Sequence, residues 1–511
     1  MKLYSRGRAR QSLIDTTVYR AISQVGTVVG YIVLVRGMSE HDFGIFNLLY
    51  AVIPVIGAVA SFGIDNVLQR YQPEYLGNQQ TAAAAWLVRF LGRARLGTNL
   101  VVLALIFAGW HLVTPLFKLE PYRAEFAIFS VVILLFFQLR VLEISLSSHM
   151  LHKYGVGMFA VLAIAKLIGY SLFILIDDLT LQNAILTDTF AHGAAYAGTY
   201  IVHRRLCALP AGTSPVAPSR DERKRLFRYG LYYNFNDVGT LALSSRVDNF
   251  FIAAFMDPVA VGTFSFYTRL SGMVSRALPT HMFQNVIRPV FFATPPAEAA
   301  IRIPKYFTLM LNTSLLFTVP ITAYAAVYHK ELVDVVFGGK FREDSLLMPI
   351  VLVFVTMRII SVPVALAAQY AEKALVILLS KVFGIVNLLA MLALIPILGV
   401  YGAALATGIC DVLKNLFIWW PVRHTARWTN FWAAMGATAL CWSVFYVLCS
   451  TLKSQLPMGP FVQLMLGAAI CIVATAAYVR TPVMSSSDRE ILGSVLKGKE
   501  RRWLKLAGLV S

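Results

Sequence analysis

Charge is scarce in this sequence. Only 14% of its 511 residues are charged and 58% are hydrophobic, whereas an ordinary soluble domain is about 25% charged. The apolar residues come in runs of roughly 20, the length that an α-helix needs to cross the hydrocarbon of a bilayer. A membrane β-barrel would instead show alternating segments of about ten residues. The sequence therefore predicts an all-α integral membrane protein.

Several chemical motifs are absent as well. No GxxxxGK[ST] loop occurs in the sequence, which excludes an ATPase of the P-loop type. The five cysteines show no CxxC spacing, so we expect them to be small packing residues rather than disulfide partners. His149 and His152 form an isolated HxxH without the further ligands that a metal site needs. We therefore expect no metal and no cofactor, with coupling to H⁺ or Na⁺ left open.

Fourteen apolar segments are long enough to span the membrane. Lys and Arg concentrate on one side if the N-terminus is cytosolic, which is the bias that sets orientation in membrane proteins. Both termini are therefore expected in the cytosol. This bias also accounts for the formal charge of +19, so no nucleic-acid partner is expected. The predicted spans are 16–36, 42–64, 91–113, 124–147, 156–177, 183–203, 230–255, 259–281, 306–328, 346–368, 374–396, 400–421, 430–452 and 460–480.

A repeated motif divides the chain. "MSEHDFGIFNLLY" at 38–50 and "MDPVAVGTFSFYT" at 256–268 share Met, Gly and Phe at the same spacing. Helices 1–6 and 7–12 are therefore predicted to form two lobes of like orientation, an architecture of transporters. Ser219 and Glu222 fit a capping box that would open a short basic helix between the lobes. The predicted domains are an N-terminal cytosolic tail (1–15), an N-lobe (16–203), a basic linker (204–229), a C-lobe (230–423), two further helices (424–480) and a basic amphipathic tail (481–511).

Charged residues inside the predicted spans are the main functional clue. A charge at the bilayer centre costs about 2.5–3.5 kcal/mol, so it usually faces water or a partner. The cations outnumber the acids, and a cavity lined by them would suit a substrate with phosphate or carboxylate groups. The basic residues are Arg20, Arg140, Lys166, Arg246, Arg269, Arg276, Arg358, Lys381 and Lys414, and the acidic ones are Glu143, Asp188, Asp237, Asp248 and Asp411.

Some of these charges have a purely structural explanation. Arg140 and Glu143 are three residues apart and can neutralise each other on one helix, as can Asp411 and Lys414. Arg20 lies one turn from the inner surface, so its long side chain can reach the headgroups.

Other charges lack such a local partner. Arg246 and Asp248 are two residues apart and point in different directions, so each needs water or another partner. Arg269 and Arg276 are two turns apart and share one helix face. We predict that these residues line a cavity.

The middle of two further spans also carries a cation. Lys166 and Arg358 have no acid three or four residues away, so we predict that they line the cavity, with an interhelical contact as the alternative. Asp188 and His192 can share a proton or form a local hydrogen bond. The acids either balance the cationic cavity or carry a coupling ion.

The run "SSRVDNFFIAAFMDPVAVGTFSFYTRL" at 244–270 resembles a segment of Wzx-type oligosaccharide-lipid flippases. In that family an Asp in the seventh helix precedes an apolar stretch, a Gly-aromatic step and a Tyr-x-x-Arg-like ending. The step after the Gly is often Leu-Tyr there and is Thr-Phe here. Asp248, Gly262, Phe264 and Arg269 occupy these places, and 37–47, 62–75 and 396–407 are also similar to the family.

The resemblance implies membership of the multidrug/oligosaccharidyl-lipid/polysaccharide exporter superfamily. It implies a non-enzymatic flippase for an undecaprenyl-diphosphate-linked oligosaccharide in the bacterial inner membrane, working by alternating access in exopolysaccharide, capsule or O-antigen assembly. Membrane lipids, a polysaccharide polymerase and other assembly proteins are the implied partners.

Three alternatives stay open. A lipid II flippase would share the fold and a cationic cavity. A drug/cation antiporter of the same superfamily would favour twelve helices and an acidic cavity. A membrane-embedded enzyme of glycan assembly would need an outward catalytic loop, and no outward loop of the predicted topology is long enough.

Overall fold

The computed structural model describes residues 6–209, 212–241, 245–277, 296–456, 458–485 and 488–489. Every secondary-structure element in these ranges is helical, which confirms the all-α prediction. The chain divides into two compact units, Met1–Gly262 and Thr263–Ser511. The side chains of Asp237 and Arg276, and the predicted tail helix from residue 490 onward, lie outside what the structure describes.

The first unit contains ten helices within the described ranges, and an eleventh helix carries the chain into the second unit. Short 3₁₀ turns at Thr114–Phe117 and Glu120–Tyr122 connect the fifth helix to the sixth. The helices are α1 Arg6–Gly37, α2 Glu40–Val59, α3 Ile64–Gly77, α4 Thr81–Ala108, α5 Trp110–Val113, α6 Arg123–Ser148, α7 His152–Leu175, α8 Leu181–Leu206, α9 Arg220–Leu241, α10 Ser245–Phe255 and α11 Pro258–Ala277.

Small residues allow close helix packing in the first unit. Helix α1 packs along α7, where a Cβ atom on Gly26 would lie 3.2 Å from Cβ of Ala163. Gly63 has a positive φ of 69°, and a Cβ atom there would lie 2.0 Å from the carbonyl oxygen of Gly230. The backbones of the α2–α3 turn and α9 therefore touch at a point that only glycine permits.

Helix α4 begins earlier than the sequence predicts. The third span is predicted at 91–113, whereas α4 runs from Thr81 to Ala108. Its first turns are rich in alanine, the residue with the highest helix propensity, and they pack on α3. The predicted loop before this span is therefore largely helical.

The capping box at the start of α9 forms only in part. The backbone N–H of Glu222 donates to Oγ of Ser219 at 3.2 Å, as predicted. The carboxylate of Glu222 does not reach back to the cap; it accepts from the hydroxyl of Tyr75 at 2.8 Å. The predicted linker ends at residue 229, but helix α9 continues without a break past that residue. The domain boundaries stay a prediction.

The second unit contains seven further helices within the described ranges. A 3₁₀ turn at Arg358–Ile360 separates the second of these helices from the third. The helices are α12 Pro296–Phe337, α13 Leu347–Met357, α14 Ser361–Tyr370, α15 Ala374–Leu379, α16 Val382–Trp419, α17 Phe431–Gln455 and α18 Pro460–Val479.

Two of these helices are interrupted by a single residue. Tyr328 has non-helical angles inside α12. Gly399 has φ 57° and ψ −135° inside α16, a conformation open essentially to glycine alone. The chain reverses direction at Gly399 and brings Gly402 close to the preceding arm of the helix. A Cβ atom on Gly402 would lie 2.3 Å from the carbonyl oxygen of Leu394. The two arms of α16 cover most of the predicted spans 374–396 and 400–421, and the first of these spans begins in α15.

Nine helical stretches of the described chain are long and apolar enough to cross a membrane, so the chain is a multi-pass membrane protein. Four predicted spans are not among these nine stretches of the described residues, and two of the four, 230–255 and 259–281, extend into residues outside the described ranges. The four are 16–36, 183–203, 230–255 and 259–281, which include Arg20, Asp188, Arg246, Asp248 and Arg269.

Candidate functional site

A closed charge centre lies inside the first unit, and we call Asp188, Lys166, Tyr50 and Tyr170 the Asp188 centre. Nζ of Lys166 lies 2.9 Å from Oδ2 of Asp188 and donates to the Tyr50 hydroxyl at 2.7 Å. The hydroxyls of Tyr50 and Tyr170 both donate to the carboxylate of Asp188. The Asp188 side chain is fully buried, so its negative charge is held by three donors away from solvent.

Helical spacing explains how the sequence builds this centre. Lys166 and Tyr170 are four residues apart on α7 and share one face of that helix. Asp188 and His192 have the same spacing on α8, and Nδ1 of His192 donates to the backbone oxygen of Asp188 at 2.7 Å. The local hydrogen bond expected for this pair therefore forms, and it leaves the carboxylate free to face α7 and α2.

A second centre lies in the second unit, and we call Asp411, Lys414 and Arg358 the Asp411 centre. Nζ of Lys414 lies 2.5 Å from Oδ1 of Asp411, which is the intrahelical pair that the spacing predicts. The guanidinium of Arg358 contacts Oδ2 of the same carboxylate. Asn415 donates to the Ser361 hydroxyl at 2.7 Å and ties α16 to α14 beside the centre.

The two cations of the Asp411 centre are not shielded equally. The side chain of Arg358 is 51% exposed, that of Lys414 is 20% exposed, and that of Asp411 is 9% exposed. One carboxylate thus faces two cations, which gives the centre a net positive charge. Arg358 begins the 3₁₀ turn between α13 and α14, where the helix is interrupted.

Lys166 and Arg358 thus both make the interhelical contact that was the alternative to cavity lining. Whether they also line a substrate path stays a prediction.

Sequence reasoning missed a buried cation in α4. Arg95 is buried, as is Asn99 one turn later, and the guanidinium carbon of Arg95 lies 4.1 Å from the centre of the Phe137 ring. Within the part of the chain that the structure describes, Nε and Nη1 of Arg95 and both amide atoms of Asn99 have no hydrogen-bond partner. Such unsatisfied buried groups are rare in proteins and point to a water or a ligand.

The early start of α4 is the reason that Arg95 was overlooked. The predicted span begins at residue 91, which places Arg95 near a basic membrane boundary. The observed helix begins at Thr81, so Arg95 lies in its middle. A pattern that could have identified it is an Arg and an Asn four residues apart, which places both side chains on one face of a helix predicted to cross the membrane.

The other predicted site residues are distributed over both units. Arg140 contacts Glu143 and lies 3.9 Å from Asp65, so the predicted Arg140–Glu143 pair forms. Arg20 is exposed, and Lys381 is half-buried at the start of α16.

The segment that carries the family resemblance also places its charges unequally. On α10, Arg246 is exposed and Asp248 is fully buried, which fits the prediction that they point in different directions. Arg269 on α11 is half-buried.

Many of these charged residues lie in a part of the chain that matches a known family. The family model described as polysaccharide biosynthesis protein matches residues 11–294, more than half of the chain. The chain belongs to the polysaccharide biosynthesis protein family. The match covers the Asp188 centre, Arg95 and the α10–α11 segment, whereas the Asp411 centre lies beyond it. No curated protein matches this chain.

Solved structures share the fold of this chain. The lipid II flippase MurJ in its inward closed conformation matches with a TM-score of 0.63 at 12% identity, over 91% of this chain and 99% of that chain. An inward-facing multidrug resistance MATE family transporter of the MOP superfamily matches with a TM-score of 0.52 at 14% identity, over 80% of this chain and 98% of that chain. The superfamily fold expected from the sequence is therefore confirmed.

Proposed function

We propose that this protein is a flippase for a lipid-linked oligosaccharide. Its cargo is an oligosaccharide repeat unit on undecaprenyl diphosphate, moved from the inner to the outer leaflet of the bacterial inner membrane for exopolysaccharide, capsule or O-antigen assembly. The observation that carries this proposal is the family match over residues 11–294, in a chain whose fold is similar to that of a lipid II flippase. The bias of Lys and Arg supports cytosolic termini.

The cations of the predicted spans suit a cargo with a diphosphate. Arginine binds phosphate through two parallel hydrogen bonds and stays charged when it is desolvated. Arg358 is half-exposed while it contacts Asp411, so its guanidinium can turn from the carboxylate to a phosphate. We assign to Arg246, Arg269 and the other dispersed cations a handover role, because several moderate sites let the cargo leave again.

Coupling to H⁺ or Na⁺ would require an acid that can gain and lose a counter-ion. The Asp188 carboxylate already accepts from Lys166 and two tyrosines and is fully buried. The Asp411 side chain retains some exposure and shares its charge between two cations. We therefore assign the coupling role to Asp411 and a holding role to Asp188.

A drug/cation antiporter is the second candidate, since a MATE family transporter shares the fold. Such a function favours acidic residues in the cavity, because its substrates are organic cations. The charges of the predicted spans are mostly basic here, which favours an anionic cargo. A polymerase and other assembly proteins are the expected partners on the product side, and we propose no catalytic step for this chain.

Extraction of lipid-linked intermediates from cells that lack this protein tests the proposal. We expect completed single repeat units on undecaprenyl diphosphate to accumulate on the cytosolic side, where they are protected from a glycosidase added to intact spheroplasts. Cells that lack the polymerase instead are the control, because their repeat units should be accessible from outside. Accessible units, or none, in cells without this protein would contradict the flippase function.

A further inference from the structure

A groove opens in the first unit between α3, α4 and the first turns of α9. It encloses about 610 Å³, a volume in the range of small-ligand sites, about 300–1,000 Å³. Its lining is almost entirely apolar and includes Phe62, Trp86 and Phe90, with Arg220 and Arg223 from α9 as the charged residues. The groove is separate from the Asp188 centre, whose residues lie on α2, α7 and α8.

Aromatic side chains form the open part of the groove. Trp86 and Phe90 stack with their ring centres 4.7 Å apart. Phe62, Phe90 and Phe227 are 44%, 50% and 62% exposed, although each is a large apolar side chain. Exposed aromatic residues on a membrane helix such as α4 are compatible with contact to lipid chains rather than water.

The two arginines of the groove differ in their ion pairs from Arg225, a neighbouring arginine of α9. Arg225 lies 3.8 Å from Glu74 and 3.9 Å from Glu222, and its guanidinium is over the Tyr71 ring. Arg220 and Arg223 are exposed and form no ion pair with any described residue. They are three residues apart on one helix face, so their guanidinium groups can converge on one anion.

We propose that this groove binds an anionic phospholipid of the surrounding leaflet. The phosphate is held by Arg220 and Arg223, since arginine fits phosphate oxygens in a bidentate manner. One acyl chain lies among the apolar side chains of the α2–α3 turn, α3, α4 and α9. A glycan would find little to bind, because the uncharged hydrogen-bonding groups of the lining residues are the Thr98 hydroxyl and the indole N–H of Trp86. The Thr98 hydroxyl already donates to the carbonyl oxygen of Ala60 at 2.8 Å.

A lipid in this position holds α9 against α3 and α4. The arginines lie in the first turn of α9, and Leu226 and Phe227 continue the same wall. Three residues further on, Gly230 meets the α2–α3 turn, where a Cβ atom on Gly230 would lie 2.6 Å from the carbonyl oxygen of Phe62. The bound lipid therefore stabilises the contact between α9 and the α2–α3 turn.

Native mass spectrometry of the full-length protein in nanodiscs tests this site. The nanodiscs contain phosphatidylcholine with increasing phosphatidylglycerol, and a second series also contains undecaprenyl phosphate. The retained lipids are counted after release. The Arg220→Ala, Arg223→Ala double variant should retain phosphatidylglycerol at least tenfold more weakly. Ala94→Phe should abolish retention with both arginines present, because the larger side chain fills the groove.

The matched control is the Lys224→Ala, Arg228→Ala double variant. It removes the same charge from exposed positions of the same helix that do not line the groove, and it should retain phosphatidylglycerol like the parent protein. Equal losses in the two double variants would reduce the effect to general attraction of cations and overturn the site. Retention of undecaprenyl phosphate with exclusion of phosphatidylglycerol would overturn the assignment to a phospholipid. The readout is lipid retention, so it is independent of export.

Discussion

The Asp188 centre and the Asp411 centre contain similar groups but differ in charge and access. Each has an Asp in the last span of a predicted six-helix lobe and a Lys in contact with it. Around Asp188 the remaining donors are two neutral tyrosines, and the carboxylate is fully buried. Around Asp411 the remaining donor is the guanidinium of Arg358, which is 51% exposed. The first centre is neutral and closed, and the second is cationic and open.

This difference separates a structural task from a functional one. Removal of one partner from a buried ion pair costs about 3–5 kcal/mol, because the remaining charge is left without compensation. An exposed ion pair contributes only about 0–1 kcal/mol, so Arg358 can exchange its carboxylate for another anion at small cost. We therefore expect changes at the first centre to affect folding and changes at the second to affect transport.

The largest effect is expected from breaking the closed centre. Lys166→Met leaves Asp188 buried without its cation, and the free energy of unfolding should fall by about 3–5 kcal/mol. Thermal unfolding of the purified protein, followed by size-exclusion chromatography, measures this loss. Lys166→Met with Asp188→Asn should recover much of the stability, since the double variant has no unpaired charge.

Lys414→Met is the matched control for this experiment. It removes a lysine from a similar pair, but Asp411 keeps the guanidinium of Arg358. Its stability should therefore fall by less than that of Lys166→Met. If both variants lose the same stability, the distinction between a closed and an open centre is wrong.

The next effect concerns export through the open centre. Arg358→Ala should lower surface polysaccharide about tenfold to a hundredfold, because hydrogen bonds to charged groups contribute about 1.5–3 kcal/mol. Its stability should stay near that of the parent protein, since Lys414 still neutralises Asp411. Arg358→Lys should recover only part of the export, because an ammonium lacks the bidentate geometry of arginine.

Arg423→Ala supplies the control for export. Arg423 is a half-buried cation of the same unit whose guanidinium lies over the Trp420 ring, and it takes no part in either centre. Export and membrane amount are both measured, so that poor insertion is recognised. Parent-level export from a well-inserted Arg358→Ala variant would remove Arg358 from the proposed substrate path.

The sequence predicts contacts within a helix better than contacts between helices. The pairs Arg140–Glu143 and Asp411–Lys414 follow from a spacing of three residues, which places both side chains on one face. The contacts Lys166–Asp188 and Arg358–Asp411 depend on how neighbouring helices are rotated and packed, and neither is encoded in a local pattern. Apolar runs likewise locate most spans, but they do not locate the alanine-rich start of α4, which packs on α3.

The smallest effect on stability is expected at Arg95, a third buried charge to compare with the Asp188 and Asp411 centres. This buried cation is stacked on Phe137 and has no hydrogen bond from Nε or Nη1 to any described residue, so it differs from both centres. Arg95→Met should change the free energy of unfolding by less than about 1 kcal/mol, because a buried unsatisfied cation adds little stability. Export should fall severalfold if the guanidinium holds the anionic cargo. Arg93→Met, at an exposed position of the same helix, should change neither quantity. A loss of several kcal/mol in Arg95→Met would instead make this guanidinium a structural group, and it would then belong with the Asp188 centre.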